Sequence, residues 1–404
     1  MNYVSFSPNF PPNYYPFCVN LRKLGVTVLG LFDVPYDSMR PELKAGLNEY
    51  YKVSNAHNYD ELVRGMGYFT HRYGKIDRLE SHNEYWLESD ARLRTDFNIP
   101  GFHNEDMARI KRKSEMKKVY IKAGIPVARG RIIRTSEEAK AFVDEVGFPI
   151  VAKPDIGVGA YKTYKLHSQA ELANFFINKP LEDYIFEEFI EGHIQTYDGL
   201  VNQDGKIVFS STMVFKEGVM DLVNESLDFW YYTMREIPEE LEKAGHKLVA
   251  AYRLRERFFH FEFFCTPSNG MVALEVNLRP PGGLTTDMWN YANDIDIYKE
   301  YANVVVSNRF NAVVERPYYC GYVGRRNNRE YLHQHNEVIA SFPQYLVHYE
   351  PISGIFSSAI GDYGYLIRSP DWDELSDIAA WILQKPEVSV YRAPKPPKTT
   401  KSRR

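Results

Sequence analysis

The sequence predicts an α/β chain with α+β character, in which a mixed amino-terminal half leads into a β-rich lobe. Three observations carry this. Compact apolar strands alternate with capped helices over the first 190 residues. Runs of β-formers joined by turn residues then dominate from Thr196 to Gly283. The length, 404 residues, is enough for two or three separate cores.

Taken in order, residues 17–24 read as a helix closed by Gly25, and the apolar run 26–32 (VTVLGLF) as a buried parallel strand. Loop 7–13 (SPNFPPN) stands where a dinucleotide-binding unit would carry glycines. It has no GxGxxG, which speaks against a dinucleotide cofactor. Strand 75–80 runs into Ser81, His82, Asn83, Glu84, Tyr85 and Trp86, a polar and aromatic cluster at a strand end, where open α/β sheets bind ligands. Helix 106–123 stops at Gly124. Strand 131–133, helix 136–146 with its acidic first turn, and strand 150–153 follow. That strand enters the glycine-bearing loop 154–160. Helix 168–178, strand 184–189 and a hairpin of 196–201 with 206–211 come next. Beyond Gly283, helices are expected at 294–306 and 371–383. Residues 393–404, rich in Pro and Lys and without an acid, read as a disordered tail. No internal repeat is visible.

A net charge of -4 gives no support for a nucleic-acid or membrane-surface partner. Three cysteines without a CxxC pair suit a reducing compartment. No apolar run approaches the ~20 residues of a membrane span, and residues 1–12 lack a secretion signal, so a cytoplasmic location is expected.

The chemistry concentrates in residues 257–283, RFFHFEFFCTPSNGMVALEVNLRPPGG. Two β runs flank Pro267-Ser268-Asn269-Gly270, a hairpin signal. A two-residue turn pairs Glu262 with Asn277, and a four-residue turn pairs it with Glu275. Both put Glu262, Glu275, Asn277 and Arg279 on one face. Adjacent carboxylates repel, so a cation is expected between them. Two carboxylates and an amide are hard oxygen donors suited to Mg²⁺, with Mn²⁺ as a substitute. His260 shares that face by alternation and reads first as a satisfied core histidine. Lys153 ends an apolar strand, unusual without an anionic partner. Gly157 and Gly159 lie in a loop that can offer N–H groups to phosphates. Lys111, Lys117 and Lys118 read as solvated helix charges.

This order of features resembles the ATP-grasp family, whose metal hairpin carries a Glu on one strand and E-x-N-x-R on the next. The likeness covers residues 106–283 and, more loosely, the first domain. It implies an ATP-grasp fold with a Rossmann-like pre-ATP-grasp domain (1–105), a small α+β lid (106–191), a β-rich catalytic and carboxy-terminal lobe (192–392) and the tail. By this resemblance Glu262, Glu275 and Asn277 hold Mg²⁺ on the ATP phosphates, and Arg279 steadies the phosphorylated carboxylate. Lys113 and Lys153 are the nucleotide lysines, and the Gly157–Gly159 loop is a flap. The segment Glu187-Glu188-Phe189-Ile190-Glu191-Gly192 resembles the adenine hinge, with Glu187 accepting the amino proton and the Phe189–Ile190 backbone reading the ring edge. Where family members often place a ribose-binding Glu, this chain has Ile194. Glu191, His193 or Gln195 could take that role.

Amino-acid and dipeptide ligases, including carnosine-synthase-like enzymes, are the most similar members. They imply a carboxylate–amine ligase that forms an acyl phosphate and transfers it to an amine, releasing ADP and phosphate. Gly282 and Gly283 would stand where oxyanion charge develops. Arg235 and Lys216 are weaker substrate contacts. The partners expected are small carboxylate and amine molecules, with a homodimer by family habit. Two alternatives stay open: a non-amine acceptor, and a nucleotide-binding regulator without turnover.

Overall fold

A computed structural model describes residues 1–157, 162–215, 228–267, 270–352 and 354–386, and the backbone only of Ile355. Gly159, Lys216, the Ser268-Asn269 pair of the expected turn and the 393–404 tail lie outside the described residues.

Three sheets follow one another along the chain. The first comprises β1 (Asn2–Phe6), β2 (Thr27–Phe32), β3 (Glu49–Lys52) and β4 (Arg78–Glu80), in the parallel order β3-β2-β1-β4. β1 is an inner strand that no alternation announced, because it is buried on both faces. The Ser81–Trp86 cluster leaves the carboxyl end of β4, as expected.

The second sheet contains β5 (Gly130–Ile133), β6 (Ile150–Pro154), β7 (Tyr164–Leu166) and β8 (Tyr184–Glu188), antiparallel in the order β5-β8-β6-β7. Helices Ser136–Val146 and Gln169–Asn178 bury Phe142 and Phe175 against it. Both start as the sequence indicates: Thr135 and Glu138 form a reciprocal cap, and Ser168 caps the second helix.

The third sheet is the large one. β9 (His193–Val201), β10 (Ile207–Ser211), β11 (Met213–Phe215), β12 (Phe229–Thr233), β13 (Arg257–Cys265), β14 (Met271–Asn277), β15 (Tyr319–Arg325), β16 (Leu346–Pro351) and β17 (Tyr363–Ser369) pair in the order β14-β13-β9-β11-β12-β15-β17-β16, with β10 also on β9. Helix Glu239–Tyr252 packs its apolar stripe, including Leu241, Leu248 and Tyr252, into the core beneath β9 and β13.

One expected helix is broken in two and another begins late. Helix 106–123 divides at Arg112, whose backbone is extended (φ -91°, ψ 119°), into Met107–Lys111 and Lys113–Lys122. The cause is a cap from elsewhere: Asp155 accepts the Ser114 N–H at 2.8 Å and pairs with Arg112 at 3.1 Å. Helix 294–306 begins late, at Ile297. Asp294 is left-handed (φ 51°) and ends a preceding helix, Thr285–Asn293, before Asp296 caps the next. Among the described residues no helix is long and apolar enough to cross a membrane.

Candidate active site

The β13–β14 hairpin brings the predicted acids together by a route the sequence did not announce. Thr266 N–H bonds the Gly270 carbonyl at 2.9 Å, and Cys265 pairs with Met271. That leaves three residues in the turn, neither two nor four. Left uncorrected, this register would misalign Glu262 and Glu275. An irregularity places Leu274 as an extra residue on β14, so Phe263 faces Ala273 while Glu262 faces Glu275 and His260 faces Asn277. The outer edge of β14 is covered at this point: Ala273 N–H bonds the Pro126 carbonyl at 2.8 Å.

Each carboxylate has one cationic neighbour. The Lys113 ammonium lies 3.0 Å from Glu275, and the His260 ring 3.1 Å from Glu262. His260 also bonds Asp198 on β9 at 2.6 Å, so it spans two carboxylates. Burial pulls its basicity down, but Asp198 and Glu262 outweigh it and hold the imidazole pKa at about 9. Burial, helped by Glu262 and Glu84 and opposed by Lys113, lifts Glu275 above the ordinary carboxyl range. Asn277 is 3.5 Å from Glu262 and 3.5 Å from the Arg279 guanidinium.

The two lysines expected to meet nucleotide arrive from different elements. Lys113 opens its helix and is 6% exposed, and Lys153 near the end of β6 is 7% exposed. Burial disfavours the Lys113 charge, yet Glu275, Glu84 and Glu187 together raise its basicity. Lys113 also donates to the Gly157 carbonyl at 3.2 Å, tying the start of the glycine loop to the helix. Lys153 sits 2.7 Å from Glu187.

Lys117 corrects the sequence reading. It is no solvated charge: it is buried, 2.7 Å from the other Glu187 oxygen, and donates to the Ala128 carbonyl. Lys118, one residue on, is exposed as expected. Both Glu187 oxygens are therefore engaged by ammonium groups, where an acceptor for the adenine amino group was expected. These two lysines outweigh burial and depress its pKa. Glu188 pairs with Arg129 at 2.6 Å. Phe189 lies under the Lys165 ammonium (3.7 Å), and Ile190 follows it past the end of β8. Ile194 is buried and holds no polar group for a ribose.

Arg279 stands just past β14. Glu84, from the cluster after β4, pairs with it at 2.6 Å. The helical turn Pro12–Tyr14, between β1 and β2, also grips the following turn: Tyr14 donates to the Pro281 carbonyl at 2.7 Å and Asn13 to that of Gly283 at 3.1 Å. Gly282 and Gly283 lie in this tethered turn, which follows Arg279. Arg235 does not join them. Its guanidinium is exposed and bonds the Arg316 and Pro370 carbonyls. Two contributors were missed. Asp198 hides in a run of strand formers, and Arg257 donates to the Leu278 carbonyl at 3.1 Å while pairing with Glu80. The only sequence signal for either was a charge inside an apolar strand.

Among the described residues no three His, Cys, Asp or Glu side chains gather at metal-binding spacing. The candidate donors are two facing carboxylates and an amide. Two largely buried carboxylates facing each other beside an amide are hard oxygen donors, a set that fits a divalent cation such as Mg²⁺.

Residues 146–287 match the family model described as "ATP-grasp domain". The chain is an ATP-grasp domain protein. Over 252 residues, 60% of the chain, it is 24% identical to an L-arginine-specific L-amino acid ligase of Bacillus subtilis, and spans 61% of that relative's length. An L-amino acid ligase structure from Bacillus licheniformis superposes with a TM-score of 0.74 at 14% identity, covering 95% of this chain and 96% of that one. The biotin carboxylase domain of a Hydrogenobacter thermophilus 2-oxoglutarate carboxylase, solved with MgADP and bicarbonate, has a TM-score of 0.69 at 16% identity, covering 93% and 88%. The three sheets are those of the ATP-grasp fold. The matched ATP-grasp domain contains Lys153, Glu187, Glu262, Glu275, Asn277 and Arg279, and Lys113 precedes it.

Proposed function

We propose that the protein is an ATP- and Mg²⁺-dependent ligase that activates a carboxylate and passes it to an amine. The observation that carries the reading is the facing pair Glu262–Glu275, flanked by Lys113 on one side and by Asn277 and Arg279 on the other. The name of the Bacillus subtilis relative supports the amine acceptor. The division into 1–105, 106–191 and 192–392 belongs to the same reading.

A substrate carboxylate oxygen attacks the γ-phosphorus, the bond to the β-phosphate oxygen breaks, and ADP leaves. The amine nitrogen then attacks the acyl carbon and loses a proton, and inorganic phosphate departs with the C–O bond pair. Lys113 and Lys153 neutralise phosphate oxygens. Arg279, held by Glu84, is set to grip the acyl phosphate through a planar guanidinium. Glu262, Glu275 and Asn277 would hold the metal. When bound, it shields the charge on the phosphates. Tyr14 and Asn13 fix the turn at 281–283 where the acyl oxygen would rest.

Phosphate release should be screened with amino acids singly and in pairs, with Mg·ATP. At least one pair should yield ADP, phosphate and a condensed product by mass spectrometry. Nucleotide binding with no ADP from any carboxylate would leave a regulator instead. A product with a thiol, hydroxyl or bicarbonate would move the acceptor class. Glu275→Gln should lower ADP formation at least 100-fold while still binding nucleotide.

A further inference from the structure

A second cleft, which shares Arg257 with the candidate active site, lies where the segment after helix Glu239–Tyr252 meets the linker at Pro100–Asp106. Its volume is about 400 Å³, within the range of small-molecule sites. Five arginines and three acids line it. The acids are already taken. Arg78 pairs with Glu256, Arg257 with Glu80, and Arg109 with Asp106 at 2.6 Å.

Arg253 and Arg255 remain. Both are exposed, and among the described residues neither has a carboxylate partner. The Arg255 guanidinium donates to the Gln203 carbonyl at 2.8 Å. The backbone that presents them is unusual: Arg253 (φ 53°) and Glu256 (φ 47°) both lie in the left-handed region, which non-glycine residues enter at a cost. Phe102 lies under the guanidiniums of Arg257 and Arg109, at 5.0 and 5.9 Å, and gives the cleft an aromatic floor.

We propose that this cleft is a second ligand site, for a small phosphate monoester. A phosphate monoester carries nearly two negative charges near pH 7 on one group, matching two guanidiniums two residues apart. Guanidiniums bind phosphate oxygens bidentately. The volume leaves room for an organic body beside the phosphate. Its occupant is an effector and not a reactant, because Arg257 stands five residues before Glu262 on β13, about 17 Å along the strand. The Arg257 bond to the Leu278 carbonyl, next to Arg279, links the two sites.

The test is calorimetric titration of the full chain with ribose 5-phosphate, alone and in excess Mg·ADP, with succinate as a dicarboxylate control. The expected result is one saturable site that Mg·ADP does not displace. Affinity should fall at least tenfold in the Arg253→Ala/Arg255→Ala double variant, whose exposed side chains leave the internal ion pairs intact. No saturable binding overturns the proposal, as does displacement by Mg·ADP, equal binding by the double variant, or succinate binding as tightly. None of these readouts requires turnover, so the proposal stands or falls apart from the ligase reading.

Discussion

Glu187 is the residue that gathers the buried lysines of the candidate site. It is a buried carboxylate with a lysine on each oxygen, and it faces the same cluster as Lys113. Removing one partner of a buried ion pair costs more than the pair contributes, because the remaining charge stays desolvated. Burial already lowers the basicity of Lys117, and Glu187 is the main group opposing that loss. Lys117→Met should therefore destabilise the chain by about 3 kcal/mol in denaturant unfolding, and weaken nucleotide binding through a misplaced Lys153. Unchanged stability and affinity would show that Lys153 alone satisfies Glu187. The sequence could not single out Lys117. Lys113, Lys117 and Lys118 share one short helix, and which face is buried depends on the second sheet packing against it, through Ala128 and Glu187.

At the scale of elements, what was legible was periodicity. Alternation placed His260, Glu262, Glu275 and Asn277 on one face, and that survives a turn length that was misjudged, because one extra residue at Leu274 compensates one in the loop. What was not legible depends on partners distant in sequence. Asp155 breaks a helix 41 residues before it, and nothing local to Arg112 signals that. The packing of helix Glu239–Tyr252 is a similar case. Gly245 reads as a helix defect, yet an added Cβ there would enter the Tyr197 ring on β9. Gly245→Ala gains helix propensity of about 1 kcal/mol but overpacks the contact beneath the site. The overpacking should dominate, for a net loss of about 1–3 kcal/mol by thermal or denaturant unfolding. A stabilised variant would mean that the helix can move off the sheet without loss.

Across the whole molecule, the first sheet is joined to the large sheet by ion pairs as well as by apolar surface. Arg78 meets Glu256, and Glu80 meets both Arg257 and Arg94. Asp90 lies in this buried seam. Its Oδ2 accepts the Ser81 hydroxyl at 2.7 Å and the Ser81 N–H at 3.1 Å, while Oδ1 has no hydrogen-bond partner among the described residues. Burial, with Glu80 adding to it and Arg94 3.8 Å away opposing it, pushes Asp90 up to about 7. The unfolded chain sheds this proton near pH 4, so the folded state binds it more tightly. The contribution is fully present below about pH 4 and is lost, at about 1.4 kcal/mol per pH unit, as the pH rises through 7. Between pH 5.5 and 7.5 this one group should lower stability by about 2 kcal/mol. Asp90→Asn keeps an acceptor for Ser81 and cannot ionise. Denaturant midpoints at the two pH values should therefore lie closer together in the variant than in the parent chain. An identical pH dependence in both would mean that Asp90 is ionised in the native seam, with Arg94 outweighing its burial.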